Sequence, residues 1–280
     1  MAQEVVTKHD QLPDHLRQYQ KAKIGNIDVT DLVIPRIKLI QAISPELETF
    51  DTAKAGSFWH TIATQNMGNE LVAVPIVIKK SYILWAPRND DRGILARAMD
   101  AVHWDLPNTE FTVKPKGSPQ PVTYNTKGSV AESGLDLFGS GIPGDPQSRP
   151  AASLTYNMLW FFPEYPHLSP SVIINTRSSI RPMQQLLSRI DSKPAAHFTQ
   201  LYTIGTVQEK GAEGPYFNYT YTSSGYADAE LCEKTEALYN RYADKAWQAT
   251  EEEPDVTEEK ASNGGKPEKG PPNEAMASKF

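Results

Sequence analysis

The chain has little of what marks an exported, membrane-bound or disulfide-stabilised protein. It contains one cysteine, Cys232, so no intrachain disulfide can form and a reducing compartment is expected. No apolar run approaches the roughly 20 residues that a membrane-spanning helix needs. The first residues also lack the basic and apolar regions of a signal peptide. These absences predict a soluble, cytoplasmic protein with no membrane partner.

Catalytic and metal-binding motifs are also scarce. The six histidines form no HExxH or HxH pattern. Asp100, His103 and Asp105 could share a metal, but a solvated surface is the better interpretation of this stretch. The glycines between Gly139 and Gly144 are followed by no Lys-Ser or Lys-Thr pair, so they predict a plain loop rather than a phosphate-binding one. We therefore expect no enzymatic activity, no metal and no cofactor.

The net charge of −6 is unevenly distributed along the chain. Residues 249–280 hold eight acidic residues and four lysines, whereas the rest of the chain holds 24 basic and 26 acidic residues. The acidic segment has too few apolar groups to bury a core, so it is predicted to be a disordered tail. Residues 1–30 are polar and are expected to form a mobile arm. Because the body is nearly neutral, any nucleic-acid surface on it must be a local groove.

The stretch around which the chain is organised is LVAVPIVIKKSYILWAPR, residues 71–88. It keeps no 3.6-residue spacing and is rich in β-branched and aromatic residues, which favours a strand. Pro75 has no N–H group to give to a sheet, so its end of the strand is expected at an edge or a bulge.

The second half of this strand combines cations with aromatic rings. Side chains alternate along a strand, so Lys80 and Tyr82 share one face, and Lys79 and Trp85 share the other, before Arg88 closes the stretch. Cations that neutralise phosphates beside rings that stack on bases are typical of single-stranded nucleic-acid binding. The alternative is that both rings are core residues and the lysines are only solvated.

Further cations could contact phosphates elsewhere. Arg36 lies in the predicted strand 32–43. Arg177 and Arg181 flank the start of a predicted helix at 180–190, where free N–H groups and the helix dipole attract anions. The alternative there is an ordinary serine N-cap at Ser179.

The remaining pattern predicts a strand-rich body with few helices. Residues 105–150 are rich in Pro, Gly, Ser and Thr and predict a long loop, partly ordered near 135–138. Aromatic residues at 217, 219 and 221 share a face and are more typical of a core. The other predicted strands are 58–62, 153–162, 171–175, 198–207 and 216–222, and the other predicted helices are 12–23, 94–101 and 226–248.

The order of these pieces resembles a known family. IPRIKLIQAISPE is followed by VAVPIVIKKSYILWAPR, then by LTYNMLWFFPE, SVIINTRSSIRPMQQLL and a tyrosine-rich hairpin. This order is similar to a family of tailed-bacteriophage proteins usually taken as single-stranded DNA-binding or replication-associated proteins, and the likeness spans 31–242. Phage and bacterial proteins of this kind commonly pair an OB-fold with an acidic tail that ends in an aromatic residue, here Phe280. This chain departs from that pattern because residues 275–279 are not acidic.

The sequence thus predicts an α+β protein in which residues 31–248 form a β-rich, OB-like barrel with two helices, followed by the disordered tail 249–280. The function implied is sequence-independent binding of single-stranded DNA in phage replication or recombination, in the host cytoplasm. The tail, through Phe280, would dock replication or recombination proteins, and a homo-oligomer stays open. The alternative is a protein–protein interaction module, either a virion component or an effector of a host enzyme, which the nearly neutral body favours.

The tail generates a first prediction. Its acidic groups resemble a nucleic-acid backbone, and a tethered segment acts at a high effective concentration, roughly millimolar for a short linker. Deleting residues 251–280 should therefore tighten single-stranded DNA binding, most at low salt, where charges are least screened. Equal affinity of the intact and truncated chains at low salt would show that the tail does not compete with DNA.

Overall fold

The computed structural model describes residues 33–87, 90, 92–115, 118–211 and 214–245. The strands are β1 (Ile37–Leu39), β2 (Phe58–His60), β3 (Gln65–Asn66), β4 (Glu70–Trp85), β5 (Ile94–Ala98), β6 (Glu110–Val113), β7 (Val122–Asn125), β8 (Ala152–Phe161), β9 (Ser171–Thr176), β10 (Gln200–Gly211) and β11 (Gly214–Tyr226). The α-helices are α1 (Glu46–Thr49), α2 (Val130–Ser133), α3 (Ile180–Asp191) and α4 (Ala229–Tyr242). The predicted arm 1–30, with its helix at 12–23, and the tail 249–280 lie outside the described residues.

Strand β4 is the longest element and confirms the strand predicted for the central stretch. Its β-branched residues pack well on a pleated surface, which accounts for sixteen residues of continuous strand. The pairing of β4 with β8 shifts register between Pro75 and Val77. The expected bulge at Pro75 is therefore present, because this residue has no N–H group to give to the ladder.

The main sheet is antiparallel, in the order β11-β10-β4-β8-β9, and β5 pairs with the far end of β4. One face, here called the inner face, packs Leu71, Trp160, Ile173 and Tyr202 into the largest hydrophobic cluster. Helix α3 adds Met183 and Leu186 to this cluster. The opposite, outer face is covered by α4, whose Tyr242 packs among Val74, Leu159 and Ile174.

The sheet is strongly curled around its inner face. The hydroxyl of Tyr221 on β11 donates to Oδ1 of Asn175 on β9 at 2.8 Å, although these strands are at opposite edges. In a flat sheet, four strand spacings would separate them by roughly 19 Å. The aromatic residues Phe217, Tyr219 and Tyr221 all contribute to the inner cluster. Their predicted place in the core is confirmed.

The segment that contains β1 lies between the two edges of the curled sheet. At one side, Arg36 forms a parallel bridge with Val172 of β9. At the other side, the Gln41 amide accepts from the Phe217 N–H at 2.8 Å and donates to its C=O at 2.9 Å. Within the described residues no strand ladder joins β9 to β11, so the sheet is not a closed barrel. The α+β class is confirmed and the OB-like barrel is not.

One predicted helix is wrong. Residues 94–98 form β5, which pairs with β4 from Tyr82 to Trp85. A helix of eight residues has little stability of its own, and the free edge of β4 offers backbone partners that decide the conformation.

The segment 105–150 is not a simple loop. It contains β6, β7 and α2, and its apolar residues converge on a third cluster with Leu84 of β4 and Trp104. The sequence contains few apolar residues here, but Val113, Val122 and Tyr124 come together through the β6–β7 hairpin. We call residues 99–150 the excursion.

The other predicted elements are present with shifted ends. Helix α3 ends one residue later than predicted, and the β10–β11 hairpin is longer than predicted. Helix α4 begins after Asp228, whose side chain accepts from the Leu231 N–H at 2.8 Å, so the predicted start at 226 was too early.

A pair of glycines tests the packing of the turn before β2 against β11. A Cβ atom at Gly56 would lie 2.6 Å from the Phe217 ring, whereas one at Gly68 would meet nothing within 4 Å. Both glycines have positive φ, 80° and 86°, so the backbone strain of an alanine is shared. We expect Gly56→Ala to lower the free energy of unfolding by about 1–3 kcal/mol more than Gly68→Ala. Chemical denaturation measures both, and Phe217→Leu should restore part of the Gly56→Ala loss; equal losses would contradict the contact.

Candidate nucleic-acid interface

The register of three strands brings a cation and two aromatic rings together on the inner face. Lys80 pairs with Tyr156 of β8, and Tyr156 pairs with Asn175 of β9. Tyr82 follows two residues after Lys80 on the same face. We call Lys80, Tyr82 and Tyr156 the inner-face strip.

The strip lies between two hydrophobic clusters. Tyr156 packs against the core beneath α3, and Tyr82 packs against the cluster of the excursion. Lys80 is exposed between them, with its ammonium group 5.2 Å from the centre of the Tyr82 ring. Both rings are half-buried. Each ring is thus held by packing against a cluster and is still partly exposed, and a stacking platform needs both properties.

Arg177 and Arg181 lie at the β9 side of the strip. The last pair of the β8–β9 ladder is Thr155 with Thr176, so Arg177 begins where the ladder ends. Its backbone is therefore level with Tyr82 and about two strand spacings, or roughly 10 Å, from β4. Arg181 is an exposed residue in the first turn of α3. Both cations therefore lie on the same side of the strip.

The turn before α3 is closed by its own side chains. Ser179 Oγ accepts from the Thr176 N–H and donates to the Thr176 C=O, both at 2.8 Å. Ser179 is the N-cap residue of α3, as predicted, but its side chain makes no capping hydrogen bond to this helix. Arg177 has a φ of 51°, which a non-glycine residue rarely adopts. The turn therefore holds Arg177 in one unusual backbone conformation.

Lys79 lies away from the strip, because it alternates to the outer face of β4. Its ammonium group donates to the backbone C=O of Lys245, just beyond α4. Burial lowers the pKa of Lys79 from its ordinary value, and Asp244 partly offsets this. A cation at a helix C-terminus is favourable, so Lys79 has a structural role.

The other predicted residues are also separate from the strip. Arg36 pairs with Val172 at the opposite end of β9 from Thr176, roughly 13 Å away along the strand. Trp85 is half-buried at the end of β4, beyond a register shift, and belongs to none of the hydrophobic clusters of the described residues. Arg88 and Phe280 lie outside the described residues.

Sequence reasoning missed Tyr156. The strand around it was predicted, but a tyrosine between apolar residues gives no sign of which neighbour it faces. Only the pairing of β8 with both β4 and β9 places it beside Lys80.

The structure bears on two other kinds of site, a metal site and a glycine-rich phosphate loop. Within the described part of the chain, no group of three His, Cys, Asp or Glu side chains is arranged to hold a metal ion. In the loop after α2, the N–H groups of Gly139 and Gly141 donate to the carbonyl groups of Ser148 and Arg149. These N–H groups are engaged inside the loop rather than turned towards a phosphate.

Comparison with known proteins identifies a family. Residues 6–248 match the family described as Pam3 phage gp34-like protein, a range that contains every element named above. The chain belongs to this family. The description names a phage, so the phage relationship expected from the resemblance is confirmed, whereas single-stranded DNA binding stays a prediction. No curated protein and no solved structure matches the chain. None of the helices in the described residues is long and apolar enough to cross a membrane.

Neighbouring lysines provide a matched test of these assignments. Lys79→Ala should lower the free energy of unfolding by about 1 kcal/mol, because it removes the contact with the end of α4. Lys80→Ala should change stability by about 0.5 kcal/mol or less, because its side chain is exposed. If Lys80 contacts a phosphate, only Lys80→Ala should reduce the log–log salt slope of single-stranded DNA binding, by about 0.7. Denaturation and DNA titrations on both variants check this, and a slope lowered only by Lys79→Ala would contradict it.

Proposed function

We propose that this chain binds single-stranded DNA without sequence preference during phage replication or recombination. The observation that carries the proposal is the Lys80 ammonium group over the Tyr82 ring, with Tyr156 opposite Lys80 on the neighbouring strand β8 and on the same face of the sheet. A phosphate would pair with Lys80, while successive bases would stack on the two rings.

The surrounding charges support a path for the strand across the sheet. Arg177 and Arg181 lie beyond Tyr156 on the β9 side, so a strand crossing from β4 to β9 would meet a cation at each end of the strip. The nearly neutral body implies few phosphate contacts and a modest dependence on salt. The proposal does not depend on an OB-like barrel, since the strip lies on an open, curled sheet.

The proposed role is binding rather than catalysis, with no cofactor and no metal. Backbone charge and base stacking are common to all DNA sequences, so the strip would recognise a strand without reading its bases. The polar groups of the inner-face strip are the Lys80 ammonium and the hydroxyls of Tyr82 and Tyr156, and the proposed stacking uses the rings rather than these hydroxyls. Trp85, half-buried at the end of β4, is a further candidate for stacking in this proposal.

A second candidate function is a protein–protein interaction module. It is favoured by exposed apolar side chains in the excursion, above all Leu137 and Phe138. In that case Tyr82 and Tyr156 would act only in packing.

A binding titration with alanine variants tests the first proposal. Fluorescence anisotropy with a labelled oligothymidine should show binding that is competed by unlabelled single strand and not by duplex. Tyr156→Ala and Tyr82→Ala should each weaken binding by about 1–3 kcal/mol, and Tyr156→Phe should not, because its ring is kept. Tyr226→Ala, at an exposed tyrosine on β11, is the matched control.

Stability must be measured on the same samples. Trp85→Ala should weaken binding by about 1–3 kcal/mol if the ring stacks on a base, but should cost about 3–5 kcal/mol of folding stability if it is a core residue. No binding of the oligothymidine at low salt, or binding that salt does not weaken, would overturn the proposed function.

A further inference from the structure

Exposed apolar side chains are concentrated in the excursion. Ten large hydrophobic residues are strongly exposed among those the structure describes, and five of them lie between residues 99 and 138. Leu137 and Phe138 are adjacent and are 60% and 75% exposed. Contiguous exposed apolar surface marks interaction sites, whereas single exposed apolar residues are normal. The apolar patch, as we call it, consists of Met99, Val102, Leu106, Leu137 and Phe138.

Helix α2 connects the two halves of the patch. The Val130 N–H, in the first turn of α2, donates to the C=O of Val102 at 2.9 Å. On the other side, α2 leads through Gly134 into Leu137, whose N–H donates to the C=O of Gly134 at 3.3 Å. Both halves thus belong to one small hydrogen-bonded unit.

The loop that carries Phe138 is held in one shape. The Tyr124 hydroxyl donates to the C=O of Gly141 at 2.7 Å, and the Ser140 hydroxyl donates to the C=O of Leu135 at 2.9 Å. The Gly139 N–H donates to the C=O of Ser148 at 2.8 Å. A fixed loop loses little conformational entropy when a partner binds, which favours its exposed side chains as anchors.

Three carboxylates lie beside residues of the apolar patch or on α2. Asp100 accepts from the Val102 N–H at 2.8 Å, Asp105 precedes Leu106, and Glu132 lies on α2 and accepts from the Ser129 N–H at 2.7 Å. Although burial opposes it, hydrogen bonds from His103 and Val102 lower the pKa of Asp100 to about 2. Backbone hydrogen bonding from Ser129 lowers the pKa of Glu132 as well. Asp100 and Glu132 therefore place negative charge at the edge of the patch at neutral pH.

The negative charge at the edge of the patch favours one kind of binding partner over two others. A DNA strand would bring its phosphates against the carboxylates. A second copy of the chain in a two-fold dimer would place one acidic edge against the other. We propose that the apolar patch docks a basic amphipathic segment of a partner protein, with Leu137 and Phe138 entering its apolar side and the acidic edge facing its lysines or arginines. The inference does not rest on the proposed DNA binding, because the patch and the strip share no residue.

The test uses a labelled amphipathic helical peptide of leucine and lysine, about 18 residues long, with a leucine–glutamate peptide of the same pattern as control. Fluorescence anisotropy with the full chain should show binding of the lysine peptide at low salt and far weaker binding of the glutamate peptide. Phe138→Ser should weaken binding roughly tenfold or more. Val207→Ser, at an exposed apolar residue on β10, should leave it unchanged. Glu132→Gln should reduce both the affinity and its dependence on salt.

Control measurements make every outcome decisive. Thermal unfolding should be unchanged by Phe138→Ser, because the ring is exposed, and Leu137→Ser offers a second variant if it is not. Equal binding of the two peptides, or no effect of either patch variant, would overturn the proposal. Sedimentation showing that the chain self-associates only when Phe138 is intact would assign the patch to a second copy instead. Loss of oligothymidine binding with peptide binding unchanged would assign it to DNA.

Discussion

The hydrogen bond between Tyr221 and Asn175 joins the two edges of the main sheet. These edges can meet only because the sheet is curled, and the rest of the architecture depends on this curl. Burial raises the pKa of Tyr221 well above its ordinary value, so the hydroxyl keeps its proton and donates at any ordinary pH. Asn175 Nδ2 is buried with no hydrogen-bond partner among the described residues, so Asn175 depends on this one bond for its side chain. Breaking it would leave the whole buried amide unpaired.

The curl gives the two faces of the sheet different uses. The inner face closes around one hydrophobic cluster, and α3 is fixed there by Arg189, whose side chain donates to the C=O of Tyr221. Strand β4 extends beyond this cluster towards the excursion, which has a cluster of its own. The inner-face strip lies where the two clusters meet. Its position is thus a consequence of packing on both sides, and Lys80 is exposed because neither cluster covers it.

Local pattern was sufficient for some elements and insufficient for others. Strands β4, β8 and β9 and helix α3 could be predicted, because long β-branched runs and apolar helical spacing are strong local signals. Strand β5 could not, because its five residues depend on the free edge of β4. Strands β6 and β7 and their cluster within the excursion were also missed, because the apolar residues there are far apart in sequence and come together only through the β6–β7 hairpin.

The same division holds for the candidate sites. The sequence alone determined that β4 is a strand and that Lys79 and Lys80 occupy opposite faces, since alternation is a property of the backbone. It also determined the charge of the tail and the near-neutral body. Only the tertiary structure decided that Lys79 contacts the backbone just beyond α4 and that Tyr156 lies beside Lys80. It also decided that Arg36 lies far from the inner-face strip. These contacts depend on strand pairing and register, which bring together residues that are distant along the chain. The sequence around each residue gives no signal of its partner.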